Sequence, residues 1–228
     1  MLLLAIDTSG KPGSIALARA GDRSGDRNDV ELLGDANLVG GTFSAQLVPQ
    51  IATLLSSHGF RKQDIDAFLV AAGPGSFTGL RIGLAAVKAL AEALNKPIGA
   101  PSLLEVCAVA GGAQGKIMAA LDAGRGDVYV GEYEIPRQAG RPPREHLLSR
   151  SEFLAGATGW TLVTPDSLLA ASATAAGLSV LILPPISAGT VARVGWRKIQ
   201  SGDTITAEQL EANYIRRTDA EVLERIGS

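Results

Sequence analysis

The chain is poor in the side chains that most often build catalytic or metal sites. Its 228 residues include one cysteine and two histidines, and aromatic residues make up only 4%. A single Cys107 excludes an intrachain disulfide and suits a reducing compartment. His58 and His146 stand too far apart to form the i, i+4 helical pair of a zinc site. His58 precedes Gly59 and reads as a cation at a helix C-terminus, whereas His146 falls in an Arg/Pro-rich loop region. A basic surplus is also lacking: net charge is −2 and the sequence pI about 5.7. That is a poor footprint for gripping nucleic acid unaided. The local cluster Arg137, Arg141, Arg144 and Arg150 reads as a solvated loop. No long hydrophobic run occurs either. Residues 178–183 stop at Pro184-Pro185, far short of a bilayer span. The N-terminus has no basic region and reaches a charge at Asp7, so a strand is expected there and not a secretion signal. The expectation is a cytoplasmic protein with no membrane contact.

What is present is apolar and aliphatic. Hydrophobic residues make up 46% and charged residues 19%, with mean hydropathy +0.19, which describes a globular chain. Ala, Leu, Val and Ile must fill its core. The length admits one large domain or two lobes. Residues 2–7 and 14–18 are aliphatic runs around Ser9-Gly10-Lys11-Pro12-Gly13, a hairpin signal. Residues 21–29 read as an exposed loop. A helix is predicted over 42–57 with Pro49 kinking it, then a strand over 67–72, then a helix from about 79 to 94 ended by Asn95 and Pro97. Ser102 and Glu105 suggest a capping box for a helix through Ala110. Near Lys116 the opening pattern returns: aliphatic strand to Asp122, turn at Ala123-Gly124-Arg125-Gly126, returning strand. Such an echo is what a duplicated architecture leaves behind. Residues 136–143 read as a loop. Alternating segments follow at 151–154, 161–163, 167–176, 178–183 and 189–199, which argues for an α/β fold.

The most informative segment is Gly73-Pro74-Gly75-Ser76-Phe77-Thr78-Gly79-Leu80-Arg81-Ile82-Gly83, lying between a strand and a helix. Unpaired amides at such a turn can cradle an anion, or the glycines can serve tight packing. The terminal Gly-Lys-Ser/Thr of a phosphate loop is absent, and Thr78 stands where the last glycine of a dinucleotide fingerprint belongs. Ser76 has no nucleophile-elbow context. Asp7, beside Thr8, and Asp122 end matching strands. They could hold Mg²⁺ through water near nucleotide phosphates, or accept hydrogen bonds from their own hairpins. On a helix, residues 79–94 place Leu80, Leu84, Val87, Ala91 and Leu94 on one stripe, with Gly79, Gly83, Ala86, Leu90 and Ala93 beside it. The apolar arc spans roughly 220°, more than one buried face needs. Either this chain or another protein covers the surplus.

These segments resemble the bacterial TsaB (YeaZ) family. The likeness rests on Leu4-Ala5-Ile6-Asp7-Thr8-Ser9, residues 44–55 with Leu47 and Pro49, and the nearly complete glycine signature at 73–83. Leu121-Asp122-Ala123-Gly124-Arg125 and Asn213-Tyr214-Ile215-Arg216 extend it. The chain departs from the family at Phe43, at Ala212, and at Val163-Thr164-Pro165-Asp166-Ser167, where a second glycine turn is expected. The resemblance implies the duplicated two-lobe α/β fold of actin, sugar kinases and Hsp70 ATPases, with residues 1–100 and 101–228 as the lobes and the last segment able to pack back on the first. It implies a non-catalytic subunit that pairs with and activates TsaD in placing a threonylcarbamoyl group on the adenosine beside the anticodon of tRNA, with TsaE a further partner. The His-x-x-x-His metal motif of TsaD is missing here. Phe43, Leu47, Ile51, Gly79, Gly83, Ala86 and Leu90 are the expected interface, serving a homodimer in the alternative. The isolated chain is expected to hold no cofactor and no tRNA, any ATP or ADP belonging to the complex. The competing reading is an ATP-dependent enzyme, an ATPase or kinase, with Asp7 and Asp122 in its cleft.

Overall fold

The computed structural model describes residues 1–21, 30–136 and 143–216. Arg137, Arg141 and most of the loops expected at 21–29 and 136–143 lie outside the described residues. The first half contains β1 (Leu2–Asp7), β2 (Gly13–Ala20), β3 (Val30–Leu38), α1 (Phe43–Ser57), β4 (Ala67–Val70), α2 (Phe77–Leu94), β5 (Ile98–Gly99) and α3 (Leu103–Ala110). The second contains β6 (Gly115–Gly124), β7 (Asp127–Ile135), β8 (Arg144–Ser149), α4 (Arg150–Gly156), β9 (Thr161–Thr164), α5 (Ser167–Ala175), β10 (Ser179–Ile182) and α6 (Ala188–Ser201). Two mixed five-stranded sheets result, ordered β3-β2-β1-β4-β5 and β10-β9-β6-β7-β8. Written from its own edge strand, the second order repeats the first: third, second, first, fourth, fifth strand of the half. In each, the first strand pairs antiparallel with the second and parallel with the fourth. The echo between residues 1–18 and 116–132 is therefore a repeated topology.

Strand alternation assigns the layers. From the first sheet, Leu2, Leu4, Ile6, Ile15 and Leu17 meet α1 and α2, while Leu3, Ala5, Ala16 and Ala18 meet α6 on the other face. From the second, Ile117 and Ala119 meet α3, and Met118, Ala120, Val128 and Val130 meet α4 and α5. The layers thus run helix, sheet, helix, sheet, helix, with α3 and α6 packed together in the middle. The scarcity of aromatics has a structural counterpart here. Small residues let α6 approach the first sheet closely, and a Cβ on Gly195 would come within 3.0 Å of the Leu69 side chain.

The expected boundary at residue 100 separates the sheets but not the layers. The helix that follows it, α3, packs on the second sheet, whereas α6 returns to the first. Residues 204–216 return as well: Ile205 bridges Ile98, and Leu210 is fully buried in the core beneath α1 and α2. At α3, Ser102 accepts a hydrogen bond from the Leu104 amide at 3.2 Å, but Glu105 turns to Lys198 at 3.4 Å and completes no capping box. The strands β3 and β8 were not expected from sequence. His146 lies in β8, 3.8 Å from Glu132, and His58 follows α1 as its C-cap. Among the described residues no helix is long and apolar enough to cross a membrane.

Candidate functional site

Asp7 ends β1, the glycine segment follows β4, and Asp122 lies near the end of β6. Asp7 is buried, and its Oδ1 accepts hydrogen bonds from the Ser9 amide at 2.9 Å and the Ser9 hydroxyl at 2.6 Å. Desolvation holds its carboxyl above the ordinary carboxylate range, against the lowering effect of those two bonds. Asp122 is exposed on β6. Topologically matching aspartates therefore sit in opposite environments, one hydrogen-bonded within its own hairpin and one in solvent. Among the described residues no group of three His, Cys, Asp or Glu side chains is placed to hold a metal ion. Cys107 is fully buried, and desolvation together with the Asp7 charge pushes its thiol up to about 12, so it is no nucleophile.

The glycine segment is occupied by the chain itself. Thr8 is buried and donates its hydroxyl to the Gly79 carbonyl at 2.8 Å. The Ser76 amide donates to the Ser9 carbonyl at 2.7 Å, and the Ser76 hydroxyl caps α2 by accepting from the Gly79 amide. A Cβ on Gly75 would come closer than 3.0 Å to Ser9, and one on Gly79 or Gly83 equally close to Thr8. Gly73, at φ +113°, lets the chain pass the Asn213 carbonyl. The Thr8–Ser9 turn thus packs against the glycine segment and takes up the Ser76 amide and the Gly79 carbonyl. The matching position of the second half, between β9 and α5, is filled differently. Asp166 Oδ1 accepts from the amides of Leu168 at 2.8 Å and Leu169 at 3.0 Å. A carboxylate on those amides opposes any anion there.

Residues 213–216 strap the two halves across the mouth of this region. The Asn213 amide donates to the Ala72 carbonyl at 2.7 Å, and its side chain donates to Glu145 of β8 at 2.6 Å. Glu145 also accepts from the Tyr133 hydroxyl, and burial with that carboxylate drives the phenol pKa upward. Tyr214 stacks on Phe77 with ring centroids 4.9 Å apart, and Arg81 donates to the Tyr214 hydroxyl at 3.2 Å. Arg216 pairs with Asp127 at the β6–β7 turn. The Asn-Tyr-Ile-Arg motif was visible in sequence, but its partners stand far away along the chain and left no local signal.

The expected interface residues divide into two groups. Phe43, Leu47 and Ile51 are buried in the chain's own core, and Gly79 and Gly83 face Thr8. These two glycines are consequently intrachain contacts, because a hairpin turn already lies against them. Ala86 and Leu90 are half-buried at the edge of a different face. That face lies largely outside the expected set. It comprises exposed Ala45, Val48, Pro49 and Ala52 on α1, and exposed Ala85, Ala89 and Ala93 on α2, with Ile82 half-buried among them. Val48 is 58% exposed. Because α1 and α2 lie side by side, their apolar strips line the outer helix layer together.

This chain is similar to known proteins in sequence and in structure. The family model for TsaD, tRNA N6-adenosine threonylcarbamoyltransferase, matches residues 38–146. The tRNA threonylcarbamoyladenosine biosynthesis protein TsaB of Bacillus subtilis is 38% identical over 135 residues, covering 59% of this chain and 56% of that protein. The TsaB of Escherichia coli is 33% identical over 137 residues, covering 59% of this chain and 55% of that protein. The matches thus span about half the length of these curated relatives. The solved structure of YeaZ from Pseudomonas aeruginosa superposes with a TM-score of 0.71 at 26% identity, covering 93% of this chain and 99% of that one. The chain is a TsaB/YeaZ homologue. The resemblance implied a duplicated α/β architecture, and the two sheets do repeat one strand order. The matched stretch 38–146 contains α1, the glycine segment and α2, so the outer helix face falls inside it, whereas Thr8 and Ser9 precede it.

Two outcomes follow from this geometry. Gly83→Ala forces a methyl against Thr8 and should cost about 1–3 kcal/mol by overpacking, read as a lower melting temperature. A variant that melts like wild type would mean that the joint is loose. Asp7→Asn addresses the buried carboxyl. An aspartate with a raised native pKa weakens the folded state as pH climbs above its ordinary 3.8, because the unfolded chain releases the proton more readily. The permanently neutral isostere should therefore melt at or above the wild-type temperature at neutral pH, with that advantage vanishing as pH falls through 3.8. Melts across the range decide it, and a variant less stable than wild type only at neutral pH would contradict the assignment.

Proposed function

We propose that this protein is a non-catalytic subunit of the machinery that makes threonylcarbamoyladenosine on tRNA. In this reading it pairs with TsaD through the outer face of α1 and α2 and holds that enzyme in its active arrangement, with TsaE joining the assembly. The observation that carries the proposal is the exposed apolar surface of Ala45, Val48, Pro49 and Ala52 beside Ala85, Ala89 and Ala93. Small side chains let helices of a partner approach closely, and two adjacent helices offer two more a matching surface. The names of the TsaB relatives supply the pathway.

The ATP-dependent alternative has less support. Such an enzyme needs amides free for phosphates, yet the Ser76 amide is taken by the Ser9 carbonyl and the α5 amides are capped by Asp166. It also needs lobes that open, and residues 213–216 tie them. Any ATP or ADP is therefore assigned to the complex with TsaD. The same face could serve a homodimer when TsaD is absent. With net charge −2, the chain is expected to bind no tRNA alone.

Ala89→Arg tests the face directly. Ala89 is exposed, so folding should be unaffected. In the complex the added cation would be desolvated without a partner, at a cost of about 2 kcal/mol or more, a loss of roughly 30-fold in affinity. Co-purification with TsaD and a circular dichroism melt of the same variant check both halves. A well-folded variant that captures TsaD as wild type does would remove this face from the interface.

A further inference from the structure

A cavity of about 360 Å³ lies between the C-terminal end of α3, the segment after β10, and α6. It shares no lining residue with the glycine segment, the strap at 213–216 or the outer helix face. Val109, Leu183, Ile186 and Val194 give it apolar walls, with Leu183 and Val194 buried. Thr190, Arg193 and Arg197 line it from α6 at helical spacing that places them on one side of the helix. Both arginines are exposed, and among the described residues neither has an ion-pair or hydrogen-bond partner. The carboxylates closest along these elements are already engaged: Lys198 pairs with Glu105 at 3.4 Å and with Asp203 at 2.9 Å.

Two free guanidiniums one turn apart, beside a concave apolar wall, form a specific combination. Each guanidinium presents parallel N–H donors that match a carboxylate or a phosphate. The volume lies within the range of about 300–1,000 Å³ typical of small-molecule sites. We infer that this cavity binds a small organic anion, its phosphate or carboxylate held by Arg193 and Arg197 and its apolar body laid on Val109, Leu183 and Val194. No step of threonylcarbamoyl transfer is assigned to it, and it stands independently of the partner reading.

The test uses the full chain and anilinonaphthalene sulfonate, an apolar probe with one anionic group. Fluorescence titration should show a saturable site. The Arg193→Ala/Arg197→Ala double variant should weaken it about tenfold or more, as losing charged hydrogen bonds implies, with the melting temperature unchanged. Ala110→Phe keeps both arginines but fills the space from an exposed lining position, and should weaken the probe comparably. Displacement by decanoate would assign the head group to carboxylates, and displacement by adenosine monophosphate to phosphates. Either result supports the site. Probe binding unchanged in the double variant, unchanged in Ala110→Phe, or displaced by neither anion would overturn it.

Discussion

The close contact between the Thr8–Ser9 turn and the glycine face of α2 is the constraint on which the rest of the structure depends. It joins the first hairpin to the helix that follows β4, through the Thr8 hydroxyl on the Gly79 carbonyl and the Ser76 amide on the Ser9 carbonyl. Because Gly75, Gly79 and Gly83 carry no Cβ, α2 can lie against that turn. Its larger residues, Leu80, Leu84 and Val87, then enter the core beneath α1. The remaining side of the helix, rich in alanine, is left outward. One packing choice thus joins the hairpin to the glycine turn and orients the proposed docking face.

The two halves solve the same local problem by different chemistry. After β4 the amides at the helix start meet a serine cap and a neighbouring turn, whereas after β9 they meet the Asp166 carboxylate. Asp7 and Asp122 diverge in parallel, one buried and one in solvent. Duplicated topology persists here while the corresponding turns of the two halves no longer match. The strap at 213–216 adds to this, since Asn213, Tyr214 and Arg216 draw on both halves at once.

Much of the fold was legible because the central strands and the large helices carry strong periodicity. The aliphatic runs ending at Asp7 and Asp122, the caps at Ser102 and Asn95, and the α/β alternation all read directly. Strands β3 and β8 did not. Each is an edge strand, and Gly34, Asp35 and Asn37 in β3 and Arg144, Glu145 and His146 in β8 dilute the apolar signal that a central strand must show. The site was legible in composition but not in direction. Periodicity marked two apolar stripes on α2, yet nothing local indicated that Thr8, some seventy residues earlier, would fill the small one. The exposed apolar strip of α1 and α2 was hidden for the same reason, since alanine counts equally as core or as surface.

Calorimetric titration of the isolated chain with magnesium–ATP tests the central claim most directly, because it asks if the glycine turn is a packing joint or a phosphate cradle. The account predicts no saturable heat up to about 1 mM nucleotide, that is, binding weaker than about −4 kcal/mol. Saturable binding near 1 µM, about −8 kcal/mol, abolished by Asp7→Ala, would contradict it and return the chain to the kinase-like reading.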